Sequence, residues 1–366
     1  MTQVKPPSPS HTISALVLAA GKGTRMKSAV PKVLHPVMGQ PMVKWVMDVV
    51  KKAGATDVTL ILSPDTKSFS ELLDAHPEVR VAVQKTQRGT GDAVAAATKA
   101  YTQAVSPSWS DSQLLRGSPS AADWVLICAG DTPGINAQTI RDFIGASLRA
   151  SKKLAVLGMN VKEPKGYGRI VTGADGAVTK IIEERDADSD IKKIKLCNSG
   201  IIFAEVSWLY KLLGGLTPNN AQGEYYLTDI FAASAVAGEP AFAFQTDSEA
   251  EFAGVNDRSQ LEQLERAMMH RKIQELMGHG VTFHLPETIY IEADVAIEPD
   301  ARIYPSACLV GKTRISRNCV VGHGAYIEGT TLGAGVCVGP HAVLIDSHLN
   351  AGELISPQAN YSNLHL

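Results

Sequence analysis

A glycine-rich, basic turn follows the first apolar run of the chain, where Leu16–Met26 reads LVLAAGKGTRM. Gly21 and Gly23 can bring backbone N–H groups close to phosphate oxygens, and Lys22 and Arg25 add positive charge beside them. The turn matches neither common phosphate loop. A dinucleotide pattern needs a third glycine where Met26 stands, and a P-loop needs GxxxxGK followed by Ser or Thr. Taken alone, the same residues also suit a tight strand-to-helix turn with incidental cations. Asp131 is the second candidate, because it follows the run WVLIC at the end where open α/β sheets bind ligands. A carboxylate there suits Mg²⁺, which takes one or two protein oxygens and fills its other positions from phosphate and water. It could equally cap a helix starting after Pro133. The ten histidines show no HExxH or comparable spacing, so no zinc site is read.

These residues need a scaffold that holds them at strand ends. The runs ISALVL (13–18), VTLIL (58–62), VRVAV (79–83) and WVLIC (124–128) are apolar on consecutive residues, as in strands buried on both faces of a parallel sheet. Helical stretches near 41–53, 91–105 and 136–151 alternate with them, the pattern of a doubly wound, Rossmann-like α/β domain with crossover helices. Ser106–Asp123, rich in Ser, Pro and Gly, breaks the rhythm and reads as a surface insertion. Leu261, Leu264, Met268, Leu276 and Met277 then fall near helical spacing before Gly278 and Gly280. They predict one long helix over 256–280, an interdomain arm on the order of 30 Å long, for which Asn256 could be the N-cap.

Beyond this helix the period changes. Ile291, Ile297, Ile303, Leu309, Ile315, Val321 and Ile327 recur every six residues, with Val295, Ala301, Ala307, Thr313, Cys319, Ala325 and Thr331 at the fourth place after each. After a slip of one residue, Leu332, Val338 and Leu344 continue the series. Such a hexapeptide repeat predicts a short left-handed parallel β-helix of about three coils, each aliphatic residue stacking inside on the next. Its cysteines read as small inward hydrophobes. The expected organisation is a tail over 1–12, an α/β domain over 13–255, a linker helix over 256–280, the β-helix over 284–347 and a C-terminal tail over 348–366.

Lys plus Arg number 35 against 37 Asp plus Glu among 366 residues, a formal net charge of -2. That balance argues against nucleic acid as a partner and leaves phosphate chemistry to a few placed cations. No uncharged apolar run approaches the roughly 18 residues of a membrane span, so no membrane is expected. Ile13–Ala20 imitates the apolar core of a signal peptide, but the basic loop after it makes better sense as an active-site element. Five cysteines, none in a CxxC pair, suit reduced thiols in a cytoplasm.

The wording around the loop is more specific than its chemistry. It continues as PKVLHPV (31–37) and GQPM (39–42). There follow, in order, QKTQRGTGDA from Gln84, AGDTP from Ala129, GYGRIV from Gly166, IIEERDA from Ile181, CNSGI from Cys197, NNAQGEYYLTDI from Asn219 and FAGVNDR from Phe252. The series resembles the uridyltransferase half of the bifunctional N-acetylglucosamine-1-phosphate uridyltransferase and glucosamine-1-phosphate acetyltransferase family, and the hexapeptide repeat extends the likeness. YGRI alone is weakly specific, whereas NNAQGEYYLTD with GVN downstream carries much more. Three positions depart from the family's usual wording: Ser199 replaces Thr, Ala129 an aromatic residue and Asp92 a His.

The resemblance implies transfer of a uridylyl group from UTP to N-acetylglucosamine 1-phosphate. The attacking phosphate monoester is already mostly a dianion at pH 7, so no general base is expected. The protein must align two anions and neutralise the leaving group. Arg25 and Lys32 are the candidate phosphate clamps, the alternative for each being a solvated cation. By resemblance Asp131 and Asn256 hold Mg²⁺; Leu18, Ala19, Ala20, Gly21, Gln84, Gly89, Thr90 and Gly130 bind the nucleotide; and Gly168, Glu183 and Asn198 face the amino sugar. A glutamine amide can donate to and accept from a pyrimidine edge, and Gly89 leaves room for a flat base. Glu183 could instead be a strand-end surface charge, with Glu184 on the opposite face. His35 has no proton to move in this chemistry. Alternative functions are uridylyl or thymidylyl transfer to another hexose 1-phosphate, or a non-catalytic sugar-nucleotide-binding regulator. The family's GHLTYLGD-type acetyltransferase segment does not occur before Leu366, so acetyl transfer is not expected, and the resemblance implies a homotrimer through the β-helix.

Overall fold

The computed structural model describes residues 11–21, 23–102 and 104–365. Lys22, expected beside the phosphate loop, and most of the expected N-terminal tail lie outside the described residues. Two compact units are present, one comprising the chain up to His35 with Pro41–Asn256, the other Pro36–Gln40 with the chain from Asp257 onward.

The strands of the first part of the chain are β1 (Ile13–Leu18), β2 (Pro36–Val37), β3 (Gln40–Pro41), β4 (Asp57–Leu62), β5 (Arg80–Val83), β6 (Leu114–Arg116), β7 (Trp124–Ala129), β8 (Leu154–Asn160), β9 (Arg169–Thr172), β10 (Val178–Ile182), β11 (Leu196–Glu205) and β12 (Phe242–Thr246). Its helices are α1 (Met42–Lys52), α2 (Ser70–Ala75), α3 (Thr90–Ala96), α4 (Ala137–Arg149), α5 (Val206–Leu213) and α6 (Asp229–Val236). Ten of the strands form one sheet in the order β10-β9-β11-β7-β1-β4-β5-β6, with β8 on β11 and β12 on β8. The four consecutive apolar runs are its parallel centre: β1 lies between β4 and β7, and β5 follows β4. Alternate residues enter opposite cores. Ala15 and Val17 pack with Val46 and Met47 of α1 and Phe143 of α4, while Leu16 packs with Val94 of α3 and Leu213 of α5. Burial on both faces explains why these strands show no polar alternation.

Two local expectations are corrected. The helix predicted over 91–105 ends at Ala96, because Thr98 turns its hydroxyl back to the Ala95 carbonyl at 2.5 Å and a 3₁₀ turn, Thr98–Ala100, follows. The 106–123 insertion is integrated into the sheet: β6 pairs antiparallel with β5, the Ser112 hydroxyl accepts from Lys99 N at 2.9 Å, and Trp109 stacks on Tyr225 with ring centroids 4.1 Å apart.

In the second unit, α7 (Arg258–Gly278) is capped by Asp257, whose side chain accepts from Gln260 N at 2.9 Å, so Asn256 is not its cap. The helix is not a separate arm. Ile273 packs into the β-helix core, and the Lys272 ammonium donates to the carbonyls of Glu292, Ala293 and Val295 at 2.6, 2.6 and 2.8 Å. Three stacked faces of five, five and four parallel strands make four full coils and two strands more. The repeat residues meet as predicted, Ile303 beside Val321 and Leu309 beside Ile327. The stack exceeds the expected three coils, and 348–366 is not a tail: His348–Leu349, Leu354–Ile355 and Asn360–Ser362 continue all three faces.

The slip has a structural cause. At the shortened corners Thr330 and Ser347 are buried, and Thr330 takes the inner place expected for Thr331. Each hydroxyl accepts a backbone N–H from the coil above: Thr313 from Thr330 at 3.4 Å, Thr330 from Ser347 at 3.1 Å and Ser347 from Leu364 at 3.0 Å. Among the described residues no helix is long and apolar enough to cross a membrane.

Candidate active site

The carboxyl ends of β1 and β7 open onto a cleft of about 340 Å³ in the first unit. Leu18, Ala20, Gly21, Gln84, Gly89 and Thr90 line it, together with Lys32 and Asp131. Ala19 and Gly130 do not line it. Ala19 is a core residue whose N–H donates to Ile61 O at 2.9 Å, and Gly130 lies so close to the Leu18 carbonyl that an added Cβ would stand 3.0 Å from it.

Among the described residues the turn after β1 does not lead directly into an α-helix. The loop passes through two 3₁₀ turns, Thr24–Met26 and Lys32–Leu34, before α1 begins at Met42. Gly23 has φ 57°, and a Cβ there would fall 2.5 Å from Lys32 Cβ. Glycine is required because the Lys32 stem packs across the loop. Lys32 Nζ makes an ion pair with the Asp131 carboxylate and donates to Asn256 Oδ1 at 3.2 Å, and Arg25 Nη2 donates to the same oxygen at 2.8 Å. Asp131 O also accepts from Val255 N at 2.9 Å, tying the GVN segment to the end of β7. Asp131 is not a helix cap, since α4 is capped by Asn136, whose side chain accepts from Gln138 N at 2.8 Å. Four residues from distant parts of the sequence therefore meet at one point. Two of them present oxygen to a single cation, the Lys32 ammonium, and hard oxygen donors facing one positive centre suit a divalent metal.

On the base side, Gln84 Nε2 donates to Gly89 O at 3.0 Å and to Asp92 Oδ2 at 2.8 Å. Gly89 has φ 111°, and a Cβ there would lie 2.6 Å from Tyr225 O, so its close approach is to the protein chain. The expectation that Gly89 makes room for a base thus has a different first cause. Thr90 Oγ1 accepts from Leu227 N at 3.0 Å, which makes it a fastening for the 224–228 segment.

That segment bridges two groups of residues. Glu224 lines the cleft, and Thr228 donates its hydroxyl to Glu183 Oε1 at 2.9 Å. Glu183 lies over Gly168, where an added Cβ would be 3.3 Å from its carboxylate, and Asn198 N donates to Gly168 O at 2.8 Å. Gly168, Glu183 and Asn198 are thus neighbours, and none of them lines the 340 Å³ cleft. Asn198 Oδ1 accepts from Gly200 N at 2.9 Å. Burial pushes the Glu183 carboxyl above its ordinary value, against the lowering effect of the Thr228 hydrogen bond, and Asp229 and Asp186 add to the rise. Glu184 points elsewhere and pairs with the buried Arg169 guanidinium at 2.8 Å.

Sequence reasoning assigned no role to Gln87, Glu224 or Thr228. Gln87 lines the cleft and donates its amide to Ala20 O, fastening the start of the glycine-rich turn. The NNAQGEYYLTDI motif was the available signal for Glu224 and Thr228, but single residues within it become distinguishable only once the fold sets which of them face the cleft.

Residues 15–205 match the model of the MobA-like NTP transferase domain. The chain is 35% identical over 350 residues to the bifunctional protein GlmU of Pelobacter propionicus, covering 96% of this chain and 72% of that protein. It is likewise 35% identical over 350 residues to the bifunctional protein GlmU of Geotalea uraniireducens, covering 96% and 73%. With that of Sorangium cellulosum it shares 38% identity over 351 residues, covering 94% and 70%.

Proposed function

The chain belongs to the GlmU family of nucleotidyltransferases, and we propose that within it the protein transfers a uridylyl group from UTP to N-acetylglucosamine 1-phosphate, giving UDP-N-acetylglucosamine and pyrophosphate. The observation that carries this reading is the convergence of Arg25, Lys32, Asp131 and Asn256 beside the nucleotide cleft.

A sugar-phosphate oxygen attacks the α-phosphorus in line and pyrophosphate leaves, so the bond to the β-bridging oxygen breaks as the new P–O bond forms. The dianionic nucleophile needs no base. Lys32 and Arg25 hold phosphate oxygens and offset the repulsion between the two anions. The family uses a divalent metal; Asp131 and Asn256 would hold it, as Mg²⁺, and when bound it neutralises charge on the triphosphate. Gln84 contacts the base, and Glu183 and Asn198 bind sugar hydroxyls and the N-acetyl group.

The β-helix supports a homotrimer. One outward column runs Thr282, Arg302, Val320, Cys337 and Leu354 and becomes apolar over its last three coils, with Leu354 75% exposed, whereas the column Ala296, Arg314, Thr331 and His348 is polar after its first residue. Packing against two further copies about a threefold axis would cover the apolar column. A monomer by light scattering at micromolar concentration would reject this assembly.

Pyrophosphate release across a panel of nucleoside triphosphates and hexose 1-phosphates tests the activity. UTP with N-acetylglucosamine 1-phosphate should give the highest kcat/KM, and equal values for glucose 1-phosphate would move the protein to another hexose.

A further inference from the structure

Resting on the uridylyl reading, we propose that Asp92 is a positioning residue for base selection, fixing the Gln84 amide so that its oxygen faces the base. Gln84 is buried at the cleft wall, and both of its Nε2 partners, the Gly89 carbonyl and the Asp92 carboxylate, are acceptors. An amide turned the other way would set its oxygen against two oxygens. Among the described residues Gln84 Oε1 makes no hydrogen bond, and the residue lines the cleft. The cleft therefore presents an acceptor. Such an oxygen takes the ring N3–H of uracil and is repelled by the bare N3 of cytosine.

Asp92 is itself held from the other side. Its Oδ1 accepts from Arg88 Nη2 at 2.8 Å, while its Oδ2 accepts from Gln84 Nε2 at 2.8 Å and from Arg88 N at 3.4 Å. Arg88 Nη2 also donates to Trp109 O at 2.9 Å, and its guanidinium lies 5.9 and 5.6 Å from the stacked Trp109 and Tyr225 rings. Both carboxylate oxygens thus receive donors, Oδ1 from the Arg88 guanidinium and Oδ2 from the Gln84 amide and Arg88 N. An asparagine at position 92 has one oxygen and one NH₂, and either orientation sets donor against donor, at Arg88 or at Gln84. Facing the charged guanidinium, its oxygen will choose Arg88. Its NH₂ then pushes Gln84 out of the uracil-reading orientation.

The test compares kcat/KM for UTP and CTP, with N-acetylglucosamine 1-phosphate as acceptor, in four proteins: wild type, D92N, R88M/D92N and Q84M. In D92N the UTP preference should fall at least tenfold, chiefly through a higher KM for UTP. Removing the guanidinium in R88M/D92N frees the asparagine oxygen to turn to Gln84 and should restore the preference, which a purely structural role would not do. Q84M should lose it. A preference unchanged in D92N, or not restored in R88M/D92N, overturns the role of Asp92 while leaving the uridylyl reading intact. A wild type that uses CTP as well as UTP rejects that reading and this inference with it. If D92N alone does not fold, the decision rests on the other two variants: preference kept in R88M/D92N and lost in Q84M supports the proposal, and any other pattern overturns it.

Discussion

Lys32 and Asp131, 99 residues apart in sequence, form an ion pair in which the side chains are only 13% and 19% exposed. Partial burial screens the pair less than a surface bridge. The ammonium also touches Asn256 Oδ1, so it occupies the point where the two proposed metal ligands converge. On the proposed mechanism Lys32 would turn to a phosphate oxygen, leaving Asp131 and Asn256 as the residues that would hold the metal.

Lys32→Ala should therefore have two opposite effects. Turnover should fall roughly 10²-fold, on the order of the ~3 kcal/mol lost with an oxyanion donor, while Mn²⁺ binding to the substrate-free protein, followed by calorimetry, should tighten because the competing cation is gone. Arg25→Ala should lose comparable activity with a smaller gain in metal affinity, because its guanidinium occupies Asn256 Oδ1 whereas Lys32 also pairs with Asp131. A Lys32→Ala protein within twofold of wild-type activity would return the residue to a solvated cation.

Asp131→Ala should abolish metal-dependent turnover and also lower the thermal midpoint, since it leaves the partly buried Lys32 ammonium without its carboxylate partner. Activity at wild-type level in saturating Mg²⁺ would show that the metal is held elsewhere.

Glu183→Gln separates binding from stability. Because the fold raises this carboxyl's pKa, the ionised form is disfavoured in the folded state. Its stability penalty is absent while the group is protonated and grows as pH rises from the ordinary carboxylate range through the raised value. Glutamine keeps an acceptor for Thr228, so the variant should gain in melting temperature over wild type by more at pH 7 than at pH 4.5. Its KM for the sugar phosphate should rise about tenfold or more, consistent with roughly 1.5–3 kcal/mol for a hydrogen bond to a charged group. An equal melting difference at both pH values would contradict the burial argument.

Thr330→Val in the β-helix keeps shape and removes the hydroxyl that accepts Ser347 N. It leaves a buried N–H unpaired, at a cost of about 1–3 kcal/mol, which chemical denaturation of the full chain should register. Thr331→Val, one residue away on the outward side, should be nearly neutral and serves as the control.

Much of the fold was legible because its signals are local. The parallel centre of the sheet follows from four runs without polar alternation, and the coils follow from an aliphatic residue every six positions. Legibility failed where a neighbour decided the outcome. Ala96 ends α3 because Thr98 turns back on the chain, α7 joins the β-helix through Ile273 and Lys272, and the stack continues past residue 347 because buried Ser347 repeats the corner of Thr330.

The sequence by itself determined which residue types were available for phosphate, metal, base and sugar, because glycine spacing, charge and motif order are properties of the chain. Tertiary structure decided their partners. It placed Asn256 beside Arg25 and Lys32 and not at a helix cap, gave the closeness at Gly89 to Tyr225, and set Asp92 against Gln84 and Arg88. These contacts span up to 231 residues of sequence. Hydrogen bonds and ion pairs act over about 3 Å, so no periodicity or composition along the chain encodes them until the sheet has brought the strand ends together.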